Sequence, residues 1–148
     1  KDYSLIKKVR PIFAKQGSKN IKSKIYDNFL CFWFRFIFKY RSAIEIGNYD
    51  YVKQIVRRDY NVFSGLILEK YFTNKLIESH LYSNIGSYWD KNNENEIDII
   101  AVNDLKKHIL IAEVKRNKNK IDINKLKSKA LSIEEKFNDY EIEYVKIN

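Results

Sequence analysis

Past Ser79 the spacing of apolar residues changes from the helical repeat of about 3.6 to alternation, and that change constrains the fold more than any other feature of the chain. Tyr82 to Trp89, Glu96 to Val102 and His108 to Arg116 read as three strands, with Asn92-Asn93 and Asn103-Asp104 marking the connections. Ser64 is placed to cap a preceding helix that runs to about Ser79. Asn124 to Phe137 reads as a following helix on the apolar positions Leu126, Ala130, Leu131, Ile133 and Phe137, and Glu143 to Ile147 closes as a strand. The second and third strands are apolar on both faces, the pattern of a sheet covered by helices on both sides. The expected class is therefore α/β, with an αβββαβ order and a covered mixed sheet.

Charged residues interrupt those two strands at few positions. Glu96 and Asp98 lie in the second, Glu113 and Lys115 in the third. Residues two apart on a strand share a face, so Glu113 and Lys115 project together, and pairing of the two strands can bring Asp98 beside them. Such groups are almost never buried unless they are paired or bound to something. Two carboxylates suit a hard divalent cation, and an ammonium beside them suits a water or a phosphate oxygen, a combination fitted to phosphodiester cleavage. The competing reading is an ion-pair network that satisfies itself. Stability alone explains that poorly, because apolar replacements of a buried ion pair are often neutral or stabilising. His80 and His108 lie far apart in the pattern, and neither is assigned to a metal.

The amino-terminal third is different in kind. The chain has 148 residues and a formal net charge of +9, and residues 1–41 hold eleven Lys and Arg against Asp2 and Asp27, which is the whole surplus. An AT-rich coding sequence accounts for many lysines but not for their segregation, which is the usual footprint of phosphate binding. Lys7 to Phe13 and Ile21 to Tyr26 read as a β-hairpin around the turn-forming Lys15-Gln16-Gly17-Ser18-Lys19-Asn20. Lys15, Lys19, Lys22 and Lys24 are its candidate phosphate contacts. Asp27 or Asn28 then caps an aromatic helix from about Asn28 to Arg41, expected to be buried on more than one face, with Phe29, Trp33 and Phe36 as core. A shorter helix follows around Tyr51 to Tyr60. Beyond the third strand, Arg116 and Lys118 open a second basic run and are candidate phosphate contacts as well.

Other classes recede on composition. A hydrophobic share of 45% argues for a folded core. One cysteine, Cys31, excludes an internal disulfide and fits a reducing cytoplasm. The apolar run Phe29–Phe38 is about half the length of a membrane span and contains Arg35, so no membrane association is expected. No GxxxxGK[ST] motif occurs, so this chain carries no ATP site of that kind. The absence of methionine, with Lys1 at the start, suggests a piece of a longer polypeptide.

Three stretches together resemble the PD-(D/E)xK, or restriction-endonuclease-like, superfamily, and more narrowly the carboxy-terminal domain of unknown function found on archaeal and bacterial AAA-type ATPases. They are Asp27–Phe36 followed by Arg41-Ser42-Ala43-Ile44-Glu45; Phe63–Tyr71; and Ile85–Asp90 through Glu96–Ala101 to Glu113-Val114-Lys115. The resemblance implies residues 1–41 as the remnant of a winged-helix module, its wing the basic hairpin, then a helical connector over 42–62 and the nuclease-like domain over 63–148. It implies Asp98 as the metal-binding acid of the second strand, Glu113 and Lys115 as the acid-x-lysine of the third, and Glu69 as the helical acid that completes the site. Glu96 lies outside the pattern but can orient Asp98. The glutamine that often follows the third strand has no counterpart here. The implied activity is DNA cleavage with Mg²⁺ or Mn²⁺, and the implied partners are DNA and the ATPase domain of the parent chain. The alternative is a catalytically inactive module of the same fold that binds DNA or docks on a protein.

Overall fold

A computed structural model of the chain describes residues 5–148, the side chain of Lys118 excepted. The protein divides into two compact units. One is built from the segment ending at Val9 together with Ile21–Ile67, the other from Arg10–Asn20 together with Leu68–Asn148.

In the first unit, β1 (Ile6–Val9) and β2 (Lys22–Ile25) pair antiparallel, with Ile6 opposite Ile25. Asp27 caps α1 (Asn28–Phe32) by accepting the Leu30 N–H at 2.8 Å, as its position before the aromatic run suggests. The expected single helix to Arg41 does not form. The backbone widens into a π turn over Trp33–Ile37, where the Phe38 N–H donates to the Trp33 carbonyl. It then tightens into a 3-10 turn over Phe38–Tyr40 and re-enters α2 (Arg41–Glu45). In this run Phe36 is fully buried, its ring 5.0 Å from Phe32 and 5.5 Å from Phe63. Burial on several faces is corrected: Phe29 is 70% exposed, and Phe34 and Phe38 are exposed too. Aromatic residues on every side of a helix do not mean that every side is packed.

Asn48 accepts the Tyr51 N–H and opens α3 (Tyr49–Glu78), which replaces the two helices expected over Tyr51–Tyr60 and from Ser64. Nothing between them breaks a helix. Asn61-Val62-Phe63 continues it, and Ser64 turns its hydroxyl back to the Asn61 carbonyl at 3.2 Å instead of capping a new start. The boundary between the two units falls inside this helix, after Ile67.

The second unit is a four-stranded mixed sheet in the order β3 (Asn84–Trp89), β4 (Glu96–Asn103), β5 (His108–Val114), β6 (Glu141–Ile147), the first two pairings antiparallel and the last parallel. Ile97, Ile100, Val102, Ile109 and Ile111 pack with Leu126, Ala130 and Ile133 of α4 (Ile123–Lys136). Ile99, Ala101, Leu110, Ala112 and Val114 pack with Leu68, Phe72 and Leu76 of α3. Both faces are covered, which explains the unbroken apolar runs. Strict alternation fails at one place. Between Gly86 opposite Ile100 and Tyr88 opposite Ile97, β4 has two residues, Asp98 and Ile99, where β3 has only Ser87. This bulge lets Ile97 and Ile100, three apart, join one core cluster.

Residues 10–20 do not extend the hairpin. The Ile12 N–H donates to the Ser87 carbonyl at 2.8 Å, and Ile12 is buried in the cluster under α4. Lys15 and Lys19 thus belong to the sheet unit, and Lys22 and Lys24 to the first unit.

Candidate active site

The acids and lysine of β4 and β5 gather at one end of the sheet. Ile99 lies opposite Ala112, the last paired step of β4 with β5, and Asp98 and Glu113 are the residues immediately beyond it. The bulge frees Asp98 from ladder pairing, and its Oδ2 accepts the Val114 N–H at 2.8 Å. Glu113 is 8% exposed, the only buried polar or charged residue among the described residues. Its Oε1 lies 2.7 Å from Lys115 Nζ, and its Oε2 lies 3.8 Å from Lys129 Nζ. The Lys115 N–H is itself fixed, donating to the Ile147 carbonyl of β6 at 3.0 Å.

Lys129 was not singled out in the sequence, where it reads as one member of a basic run. The signal was present: Leu126, Ala130 and Ile133 are the buried stripe of α4, and position 129 lies on that same face. A lysine there is carried under the sheet to the acid.

The electrostatics follow from this packing. Burial raises the Asp98 carboxyl above the ordinary range. The Val114 hydrogen bond works against that rise, the Glu113 charge adds to it, and Lys115 and Lys129 oppose it. Lys115 is raised as well, first by its hydrogen bond to Glu113, with Asp98 and Glu69 adding attraction and burial opposing. Glu69 on α3 therefore belongs to the electrostatic surroundings of Lys115. Among the described residues, no group of three or more His, Cys, Asp or Glu is arranged to hold a metal. Asp98 and Glu113 are the two acids brought together at this end of the sheet, and Glu69 adds its charge at Lys115.

Other positions read from the sequence have different surroundings. Glu96 sits opposite Trp89 and is exposed. Trp89 is buried and donates its Nε1–H to Asn20 Oδ1 at 2.8 Å. Arg116 is exposed just beyond Lys115, while the Lys118 side chain lies outside the described residues. His108 pairs with Glu143 at 3.3 Å, at the opposite end of β5 from Glu113. No described helix is long and apolar enough to cross a membrane.

A family described as archaea bacterial proteins of unknown function, DUF234, matches residues 33–126. An uncharacterized protein of Methanocaldococcus jannaschii, MJECL04, is 36% identical over 121 residues, a match covering 77% of this chain and 27% of that protein. The chain thus spans about a quarter of the length of that relative. No solved structure matches the chain. With more than half of its residues inside the family match, Asp98, Glu113, Lys115 and the buried face of α4 up to Leu126 among them, the chain belongs to the DUF234 family.

Proposed function

We propose that the sheet unit is a metal-dependent, nuclease-like domain of the PD-(D/E)xK type that cleaves DNA, carried by a polypeptide whose remainder includes an AAA-type ATPase. The observation that carries this reading is the convergence of Asp98, Glu113 and Lys115 at the bulged end of β4 and β5. The order of α3, three antiparallel strands, α4 and a parallel β6 agrees with a restriction-endonuclease-like core. The basic β1–β2 hairpin agrees with a winged-helix wing that precedes it.

The donor set fits a small hard cation. Asp98 and Glu113 present two carboxylates from adjacent strands; burial first, and the Glu113 charge with it, raises Asp98, and a divalent ion would offset both. Glu69, the Val114 carbonyl and water would complete the coordination. Bound there, Mg²⁺ or Mn²⁺ supplies a more acidic water and neutralises charge on the phosphate oxygens.

The chain's own residues do the positioning. The Val114 N–H aims the Asp98 carboxylate, and Lys129 holds one oxygen of Glu113 from below the sheet. Lys115, whose side chain is 42% exposed, stands at the outer edge, where its ammonium can leave Glu113 for a water or the scissile phosphate.

One observation favours the second reading, a nuclease-fold module without activity. Two ammonium groups already face Glu113, so the network can satisfy itself without a metal. Cleavage of supercoiled and branched DNA by the intact chain, with Mg²⁺ or Mn²⁺, separates the two. Loss of cutting in Asp98→Asn and Lys115→Ala with DNA affinity retained supports the enzyme. A wild type that cuts with neither metal removes it.

A further inference from the structure

The lysines at the tip of the hairpin region are not carried by the hairpin. Arg10–Asn20 is part of the sheet unit, and three attachments make it a fixed strap along β3. At its start, Ile12 is 6% exposed, donates its N–H to Ser87, and packs so closely on Gly86 that a Cβ there would stand 3.3 Å from Ile12 Cβ. Only glycine leaves room for that approach without adjustment. Phe13 then takes a left-handed backbone, φ +68°, and sets its ring 4.8 Å from Phe137. A bulky residue in that conformation persists because its surroundings hold it there.

At the far end, Asn20 accepts from Trp89 Nε1 at 2.8 Å and donates to the Asp90 carbonyl at 3.4 Å. Between the anchors the loop closes on itself. The Ser18 N–H donates to the Lys15 carbonyl across a turn in which Gly17 has φ +84°, Arg10 Nε donates to the Ser18 carbonyl, and the Asn20 N–H donates to Ser18 Oγ. Lys15 and Lys19 flank that turn and are exposed.

The Asn20 anchor is at the candidate site's end of the sheet. Trp89 lies opposite Glu96, two residues before Asp98, so strand spacing puts its backbone roughly 8 Å from that of Asp98 and the Asn20 end of the strap within roughly 15 Å. One strand of DNA presents a phosphate about every 3.4 Å of its axis, so that span is about four phosphates.

We propose that Arg10–Asn20 is a nucleic-acid strap, through which Lys15 and Lys19 contact phosphates a few nucleotides from the Asp98–Glu113–Lys115 site and set the line of the duplex across the sheet end. The strap as a guide to that site rests on the function proposed above; its contact with DNA does not. Two lysines on a frame bonded to Trp89 act with the sheet and not as part of a separate wing.

The test is DNA affinity of the full chain, measured by fluorescence anisotropy on a labelled duplex from 50 to 200 mM salt in EDTA, where no cleavage can occur. Lys15→Ala with Lys19→Ala should flatten the slope of log affinity against log salt by about 1.8, two contacts at about 0.9 each. Asn20→Ala and Trp89→Phe change no charge but cut the anchor. Each should weaken binding about threefold, and the double variant no more than either alone. An unchanged slope in the lysine variant overturns the strap, as does wild-type affinity in both anchor variants. A wild type that never cuts DNA but shows the expected slopes removes the enzyme and leaves the strap. Cleavage with unchanged slopes does the reverse.

Discussion

The Val114 N–H donates to Asp98 Oδ2 at 2.8 Å, a backbone group of β5 holding a side chain of β4 just beyond the last paired step of the two strands. In a regular ladder that N–H would serve the neighbouring backbone. Here a carboxylate takes that place, on a residue that the bulge between β3 and β4 leaves without a partner in β3.

Stability should report the strain of this arrangement through pH. Asp98 is raised in the fold, mainly by burial, so its charged form is disfavoured relative to the unfolded chain. The sign follows: the penalty is absent below the ordinary carboxyl value near 3.9, grows as pH rises through the raised value, and is complete above it. Asp98→Asn should therefore be neutral or stabilising, within about 1 kcal/mol, at pH 7.5, and should lose any advantage at pH 4. Urea denaturation at both values checks this, and a loss of several kcal/mol at pH 7.5 would contradict it.

Lys115 and Glu113 should separate stability from function. Lys115 is partly exposed, so Lys115→Ala should cost less than about 1 kcal/mol while abolishing cutting. Glu113→Ala takes from Lys129, whose side chain is 17% exposed, its ion-pair partner and leaves it only the charge of Asp98, and should cost about 2–3 kcal/mol. Thermal melts beside cleavage assays test the contrast.

A divalent cation that binds the folded site raises its stability by mass action, about 2.7 kcal/mol at a hundredfold excess over its dissociation constant. Mn²⁺ should raise the melting temperature of the wild type and leave that of Asp98→Asn unchanged. An equal rise in both would place the ion elsewhere.

Gly86→Ala tests the strap from the sheet side. Its new Cβ would press on Ile12 at 3.3 Å, so the variant should lose about 1 kcal/mol and bind DNA more weakly. Wild-type stability with wild-type affinity would mean that the strap yields without consequence.

Much of the sheet unit was legible in the chain because apolar period and burial coincide there. Glu96 to Val102 and His108 to Arg116 read as strands covered on both faces, and strands so covered form there, ending at Asn103 and Val114. The convergence of Asp98 with Glu113 and Lys115 was legible from period-two spacing, although the bulge that delivers Asp98 was not. A bulge depends on pairing with β3, and nothing local at Asp98-Ile99 announces it. Lys129 was hidden by its basic neighbours. The continuous α3 was missed because Ser64 resembles a cap, while the preceding residues have no helix breaker to require one. The strap escaped for a different reason. Turn residues from Lys15 to Asn20 say that the chain reverses, not that Ile12 and Asn20 attach it to a sheet whose first strand begins more than sixty residues later.

In the function proposed above, Asp98 and Glu113 together hold a divalent cation. Crystals soaked in Mn²⁺ and measured for anomalous scattering address it most directly. The expected result is one peak within coordination distance, about 2.2 Å, of a carboxylate oxygen from each residue, with Lys115 moved off Glu113. Crystals with no peak between the two acids, and with Lys115 and Lys129 still seated on Glu113, would contradict it.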